Sequence, residues 1–319
     1  MDNACYPVAM GTGLALPEKT ARELDRLTAD DPLLARCVSG WLLGCKTANT
    51  KRTYGRYMAA WLKFCHRYDI DPIRASRPEF DAWVRTIEVG RKPRSVATMM
   101  STISSWYIWL VREKVRDDSP VDPRGRPSLP KVGATPAMSR DELVGFLATS
   151  AETESPTNHA LLVLLANTGV RINEALSVDV TDLNFDSAHR VMRFVKKGGT
   201  EATTILAPPV VEALDVMLKG RRDGPLFSTR TGGRLNEPHA WRLVRRVARR
   251  AGIPSADSLS PHSLRATFIT EARQAGASLE SVQDAVGHAD PRTTRIYDRK
   301  RNSLDNHPAY LMAAWLSPA

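Results

Sequence analysis

Residues 117–136, DDSPVDPRGRPSLPKVGATP, hold five prolines and two glycines in twenty positions and show no apolar periodicity. No regular helix or ladder strand can cross such a stretch. Each proline lacks a backbone N–H, and it drives the residue before it out of the helical region. The chain is therefore expected to fold as two separately cored parts joined by a semi-extended linker. A length of 319 residues fits this, because a single core of that size would be unusual.

The part before the linker reads as helical throughout. Residues 1–31 are expected to be a tail ending in a short lead-in helix, PEKTARELDRL. Residues 32–116 predict about four helices and no strand, an all-α domain. The clearest helix is 51–68, where Tyr54, Tyr57, Trp61, Phe64, Cys65 and Tyr68 recur at three- and four-residue steps. That stripe reads as core. Lys51, Arg52 and Arg56 fall on other faces and are candidates for contacts to nucleic-acid phosphates.

After the linker, residues 137–302 predict helices with a small β-hairpin. Ser139-Arg140-Asp141-Glu142 is a capping box opening a helix through Ala148, and Ser155-Pro156 starts an apolar helix that stops at Gly169. Strands are expected at 189–196 and 201–206 around the turn Lys197-Gly198-Gly199-Thr200, with helices at 209–218 and 235–251. The last of these carries Arg242, Arg245, Arg246, Arg249 and Arg250, and five such residues cannot share one face. Arg242 and Arg245 are taken as the nucleic-acid-facing pair, and a solvated face is the alternative. The expected fold is thus mainly α with a small β-sheet, followed by a tail at 303–319.

Charge narrows the partners. The formal net charge is +10, and Arg outnumbers Lys 34 to 11, which favours a polyanionic partner held through guanidinium forks. The four cysteines all lie within the first 65 residues without zinc-ligand spacing, as expected of reduced thiols in a cytoplasmic protein. No apolar run approaches the ~20 residues of a membrane span, and no basic-then-apolar signal opens the chain.

The chemistry gathers in residues 260–299. His262 and Arg265 stand three apart behind a helix start at Ser260-Pro261, and His288 and Tyr297 follow. Cleaving a phosphodiester needs charge on its non-bridging oxygens, a nucleophile, and a proton for the leaving oxygen. Two arginines, Arg171 and Arg265, can supply the first by paired charge-assisted hydrogen bonds, and Tyr297 can supply the second. No acidic cluster has metal-ligand spacing, so no metal or other cofactor is expected.

Taken in order, Gly169-Val170-Arg171-Ile172-Asn173-Glu174, Lys197, His262-Ser263-Leu264-Arg265, Gly287-His288 and Tyr297 resemble the signature of the tyrosine recombinases, the phage integrase family. The resemblance spans residues 139–302 and extends more weakly to the helical first part, which is similar to that family's core-binding domain. It implies site-specific cleavage and rejoining of duplex DNA through a 3′-phosphotyrosyl intermediate, without ATP, by four protomers assembled on DNA. It also implies that Lys197 protonates the 5′ oxygen from the hairpin tip. The family's G-K-G is K-K-G here, so Lys196 is the alternative. His262 would accept the tyrosine proton or bond the phosphate, His288 would add a hydrogen bond, and Glu174 would orient its neighbours. Ala266 stands where the family often has a second His. The segment ahead of the first domain is shorter than an arm-binding domain, which points to action at short core sites. The apolar run YLMAAW at 310–315 is expected to pack either on a neighbouring protomer or on its own domain. A type IB topoisomerase and a non-catalytic DNA-binding regulator are the rival readings.

Overall fold

In a computed structural model, which describes residues 16–122, 135–196 and 199–287, the chain divides into two units, Met1–Val132 and Gly133–Ala319. Among the described residues the first unit is built of α1 (Glu18–Leu27), α2 (Pro32–Leu43), α3 (Ala48–Arg67), α4 (Arg77–Glu88) and α5 (Pro93–Arg112). Side chains cap most of their starts. Asp31 accepts the Leu34 N–H at 2.9 Å ahead of Pro32, Thr47 accepts the Thr50 N–H at 3.1 Å, and Glu79 reaches back to the Ser76 N–H at 2.6 Å.

Aromatic residues fill this unit's core. Trp61, Trp83, Trp106, Phe80 and Tyr107 are fully buried, with Trp61 edge-on to Trp83 at 5.3 Å and to Phe80 at 5.8 Å between centroids. The stripe on α3 is therefore core at Trp61 and Cys65, partly buried at Tyr54, Tyr57 and Phe64, and open only at Tyr68. Helix α1 belongs to the same core through Leu24 and packs along α3. Arg52 and Arg56 are exposed on α3 and Lys51 is half-buried, with the Arg56 guanidinium 5.0 Å over the Tyr57 ring.

The second unit contains α6 (Arg140–Thr153), α7 (Pro156–Thr168), α8 (Ile172–Ser177), β1 (Leu183–Asp186), β2 (His189–Val195), β3 (Glu201–Ile205), α9 (Pro208–Leu218), α10 (Glu237–Arg250), α11 (Pro261–Gln274) and α12 (Leu279–Val286). Helix α7 is its axis. Every residue from Ala160 to Ala166 is buried, the mark of a helix enclosed on all sides, and it packs against α6, α9 and α11. Helix α6 runs to Thr153, five residues past the expected end, because nothing in Thr149-Ser150-Ala151-Glu152 stops it.

The sheet is antiparallel in the order β1-β2-β3, with Leu183 opposite Met192 and Val191 opposite Ile205. Strand β1, absent from the sequence reading, turns into β2 through Ser187, whose φ is +54°. At the far end of β2, the Lys196 N–H donates to the Thr200 carbonyl at 2.8 Å and the Gly199 N–H donates to the Lys196 carbonyl at 3.0 Å. Among the described residues no helix is long and apolar enough to cross a membrane.

Candidate active site

The end of α7 sets the site's floor. Gly169 caps the helix in the left-handed conformation, φ +63°, and its own N–H returns to the Leu165 carbonyl. Two separate demands require glycine here. A side chain would be strained at this φ, and a β-carbon would lie 2.4 Å from Cδ1 of Phe268 on α11. The chain then rises through buried Val170 to Arg171, the N-cap of α8.

Glu174, in the first turn of α8, clamps Arg171 at both ends. Its Oε2 accepts the Arg171 backbone N–H at 2.9 Å, and its Oε1 accepts from the guanidinium at 3.0 Å. The carboxylate is buried while the Arg171 side chain stays 35% exposed, so the charge is oriented from beneath and remains open to a ligand.

Arg265 lies deeper than a phosphate-facing residue would suggest. It is 2% exposed on α11, with one guanidinium N–H donating to the Gly169 carbonyl and another to the Val286 carbonyl, both at 2.6 Å. Those carbonyls close α7 and α12, whose last C=O groups lack helical partners. The side chain thus ties two helix ends together from a third helix. His262 sits one turn earlier on α11 and is exposed at the rim. Its basicity is held below the ordinary imidazole value, first by partial burial of the ring and then by the charges of Arg265 and Arg171.

Beside this group, α12 ends at Gly287, again left-handed with φ +63°. The stem of Lys196 rests on it. A β-carbon on Gly287 would stand 2.8 Å from both Cε and Nζ of Lys196. Arg171, Glu174, His262, Arg265 and Lys196 are therefore what the fold gathers here. Lys197, His288 and Tyr297 lie outside the described residues. The bridging of two carbonyls by Arg265 had no sequence signal, since its partners are 96 and 21 residues away.

The arginines of α10 divide by partner. Arg246 makes a two-pronged pair with the Glu154 carboxylate at 2.8 and 2.7 Å, and Arg250 reaches the same carboxylate at 3.1 Å. These contacts hold the Glu154 carboxyl below the usual carboxylate range, the Arg246 hydrogen bond first among the causes. Arg249 pairs with Asp257. Arg245 lies over the Trp241 ring at 5.3 Å, and its Nε–H donates to the Leu259 carbonyl at 3.3 Å. Arg242 and Trp241 are exposed. Among the described residues, the two arginines expected to face nucleic acid are thus the two of α10 outside carboxylate pairs.

The family model for the phage integrase family matches residues 136–303, which covers this entire site. The chain belongs to the phage integrase family. It is 29% identical over 269 residues to tyrosine recombinase XerD of Oceanobacillus iheyensis, covering 78% of this chain and 86% of that protein. To tyrosine recombinase XerC of Corynebacterium efficiens it is 32% identical over 230 residues, or 69% and 72% of the two chains. Among solved structures, the XerH site-specific recombinase in a post-cleavage complex with a palindromic difH substrate shares the fold. Its TM-score is 0.68 at 18% identity, covering 94% of this chain and 89% of that one. The protein is a tyrosine recombinase, an enzyme of DNA strand cleavage and rejoining.

Proposed function

We propose that this enzyme cuts and reseals duplex DNA at a specific core site through Tyr297, with Arg171, Lys197, His262, Arg265 and His288 as its partners in catalysis. The observation that carries this reading is the convergence of Arg171, Glu174, His262 and Arg265, drawn from α8 and α11 onto the ends of α7 and α12. Two guanidiniums, one clamped by Glu174 and one bridged between carbonyls, are oriented before any phosphate arrives. Preorganised donors of this kind stabilise developing charge without reorganising during the reaction.

In the proposed step the Tyr297 oxygen attacks phosphorus and the bond to the 5′ oxygen breaks. The phenolic proton passes to His262, whose lowered basicity keeps it neutral at pH 7 and so able to accept one. Lys197 gives a proton to the 5′ oxygen, and His288 adds a hydrogen bond to the phosphate. Rejoining reverses each transfer, so the phosphodiester energy is kept in the protein–DNA link. Lys51, Arg52 and Arg56 from the first unit and Arg242 and Arg245 from α10 are assigned to the duplex backbone. Exchange of strands between two sites requires four such centres, so the working form on DNA is a tetramer.

The test uses a nicked half-site substrate. Wild type forms an SDS-resistant adduct, whereas Tyr297→Phe binds the same DNA and forms none. An adduct from Tyr297→Phe would overturn the nucleophile assignment. Relaxation of a plasmid lacking any specific site, by a monomer, would overturn site-specific exchange. Binding should weaken steeply as salt rises, because each neutralised phosphate releases a counterion.

A further inference from the structure

We propose that Lys196 is a positioning residue for strand cleavage, its side chain latching the β2–β3 hairpin onto Gly287. The proposal rests on the reading above, in which Lys197 is the acid. Three observations support it. The backbone of Lys196 is held on both sides, its N–H on the Thr200 carbonyl and its carbonyl on the Gly199 N–H, so its side chain leaves the hairpin in a set direction. That side chain ends on Gly287, where a β-carbon would lie 2.8 Å from Cε and Nζ and 3.3 Å from Cδ. The contact therefore occupies the space that every other residue type would fill.

The third observation is what Gly287 adjoins. The carbonyl of Val286, one residue earlier, is an anchor of Arg265. The latch thus joins the hairpin to a segment already tied to the phosphate-binding arginine. In the sequence, Lys196 immediately precedes Lys197 and Gly287 immediately precedes His288. The touching pair is the last described step before each of two residues assigned to the reaction. A lysine suits the place because its long unbranched side chain can reach the bare face of a glycine and lay Cδ, Cε and Nζ along it. The family's usual glycine at this position would have no side chain to reach across.

Small errors of placement slow a positioned reaction steeply, about a hundredfold for ~1 Å. Lys196→Ala should therefore cleave a nicked half-site about 10- to 100-fold more slowly than wild type. Loss of position is separable from loss of fold by the leaving atom. With sulfur replacing the bridging 5′ oxygen, the departing thiol has a pKa of about 8.5 and leaves without an acid. Lys196→Ala should then match wild type within about threefold on the sulfur substrate, by the same acid-independence. Lys196→Met, which restores the stem without the charge, should recover most of the rate on the oxygen substrate. Equal losses of Lys196→Ala on both substrates would sink the latch, as would a Lys196→Met variant no faster than Lys196→Ala. Lys197→Met separates the two levels of the argument. If it cleaves the oxygen substrate like wild type, the acid assignment itself fails. If it is slow on oxygen and restored on sulfur while Lys196→Ala is unimpaired, only the latch fails.

Discussion

Replacing Arg265 should weaken the fold as well as the chemistry. The guanidinium is 2% exposed and spans two carbonyls at 2.6 Å, closing the ends of α7 and α12 together. Hydrogen bonds from a charged donor are worth about 1.5–3 kcal/mol each. Lysine offers a compact ammonium in place of the planar fork, so it can keep one carbonyl but cannot span both. Arg265→Lys should then cost about 1.5–3 kcal/mol, and Arg265→Met, which leaves both carbonyls unsatisfied, about 3–5 kcal/mol after relief of the buried charge. With a urea slope of about 2–3 kcal/mol per molar, the lysine variant should unfold roughly 0.5–1.5 M earlier. Far-UV circular dichroism reports this transition in the full chain. Tryptophan fluorescence is the internal control, because five of the seven tryptophans (Trp41, Trp61, Trp83, Trp106 and Trp109) lie in the first unit. Their transition should not move. An Arg265→Met midpoint within experimental error of wild type would refute the bridge as a structural element.

Three further outcomes are expected. Gly169→Ala should destabilise the second unit by about 2–4 kcal/mol, combining left-handed strain with the clash against Phe268, as measured by the same urea titration. Followed by NMR, the His262 imidazole should titrate below its ordinary value. Replacing Arg171 with Gln should raise that midpoint by removing one of the charges that lower it. Because the folded value is depressed, the stability linked to His262 is present above about pH 6.5, the unfolded value, and declines as pH falls below it. Glu154 has the same sign in a lower window. Its carboxyl is held below the usual range, so its contribution is complete above the unfolded value of about 4.3 and is lost as pH falls through the folded one. Glu154→Gln should flatten that acid limb of the stability curve.

How much was legible in advance depended on the range of the interactions. The helices of the first unit follow from aromatic periodicity, and α7 follows from Ser155-Pro156 at one end and Gly169 at the other, all local signals. The hairpin of β2 and β3 was legible for the same reason. Strand β1 was not, being four residues long with Phe185 and Asp186 exposed, so no alternation marks it, and its turn uses Ser187 in place of a glycine. Arg171 and Glu174 could be paired from their three-residue spacing. Arg265 read as a phosphate ligand, but its burial depends on carbonyls at the ends of α7 and α12, which only the tertiary fold brings near. The division of the α10 arginines was equally hidden, since Glu154 comes from the end of α6, nearly a hundred residues upstream.

That division sets how freely the residues of α10 can vary. Arg246 and Arg250 share one buried carboxylate, so substitutions there are paid in stability before they alter any contact outside the protein. Trp241 and Arg242 are open, and Arg245 leans on Trp241 and donates to the Leu259 carbonyl. One helix therefore presents a constrained edge and a permissive edge. Substitutions at 241, 242 and 245 should cost the fold less than substitutions at 246 and 250, where the Glu154 cluster holds the scaffold.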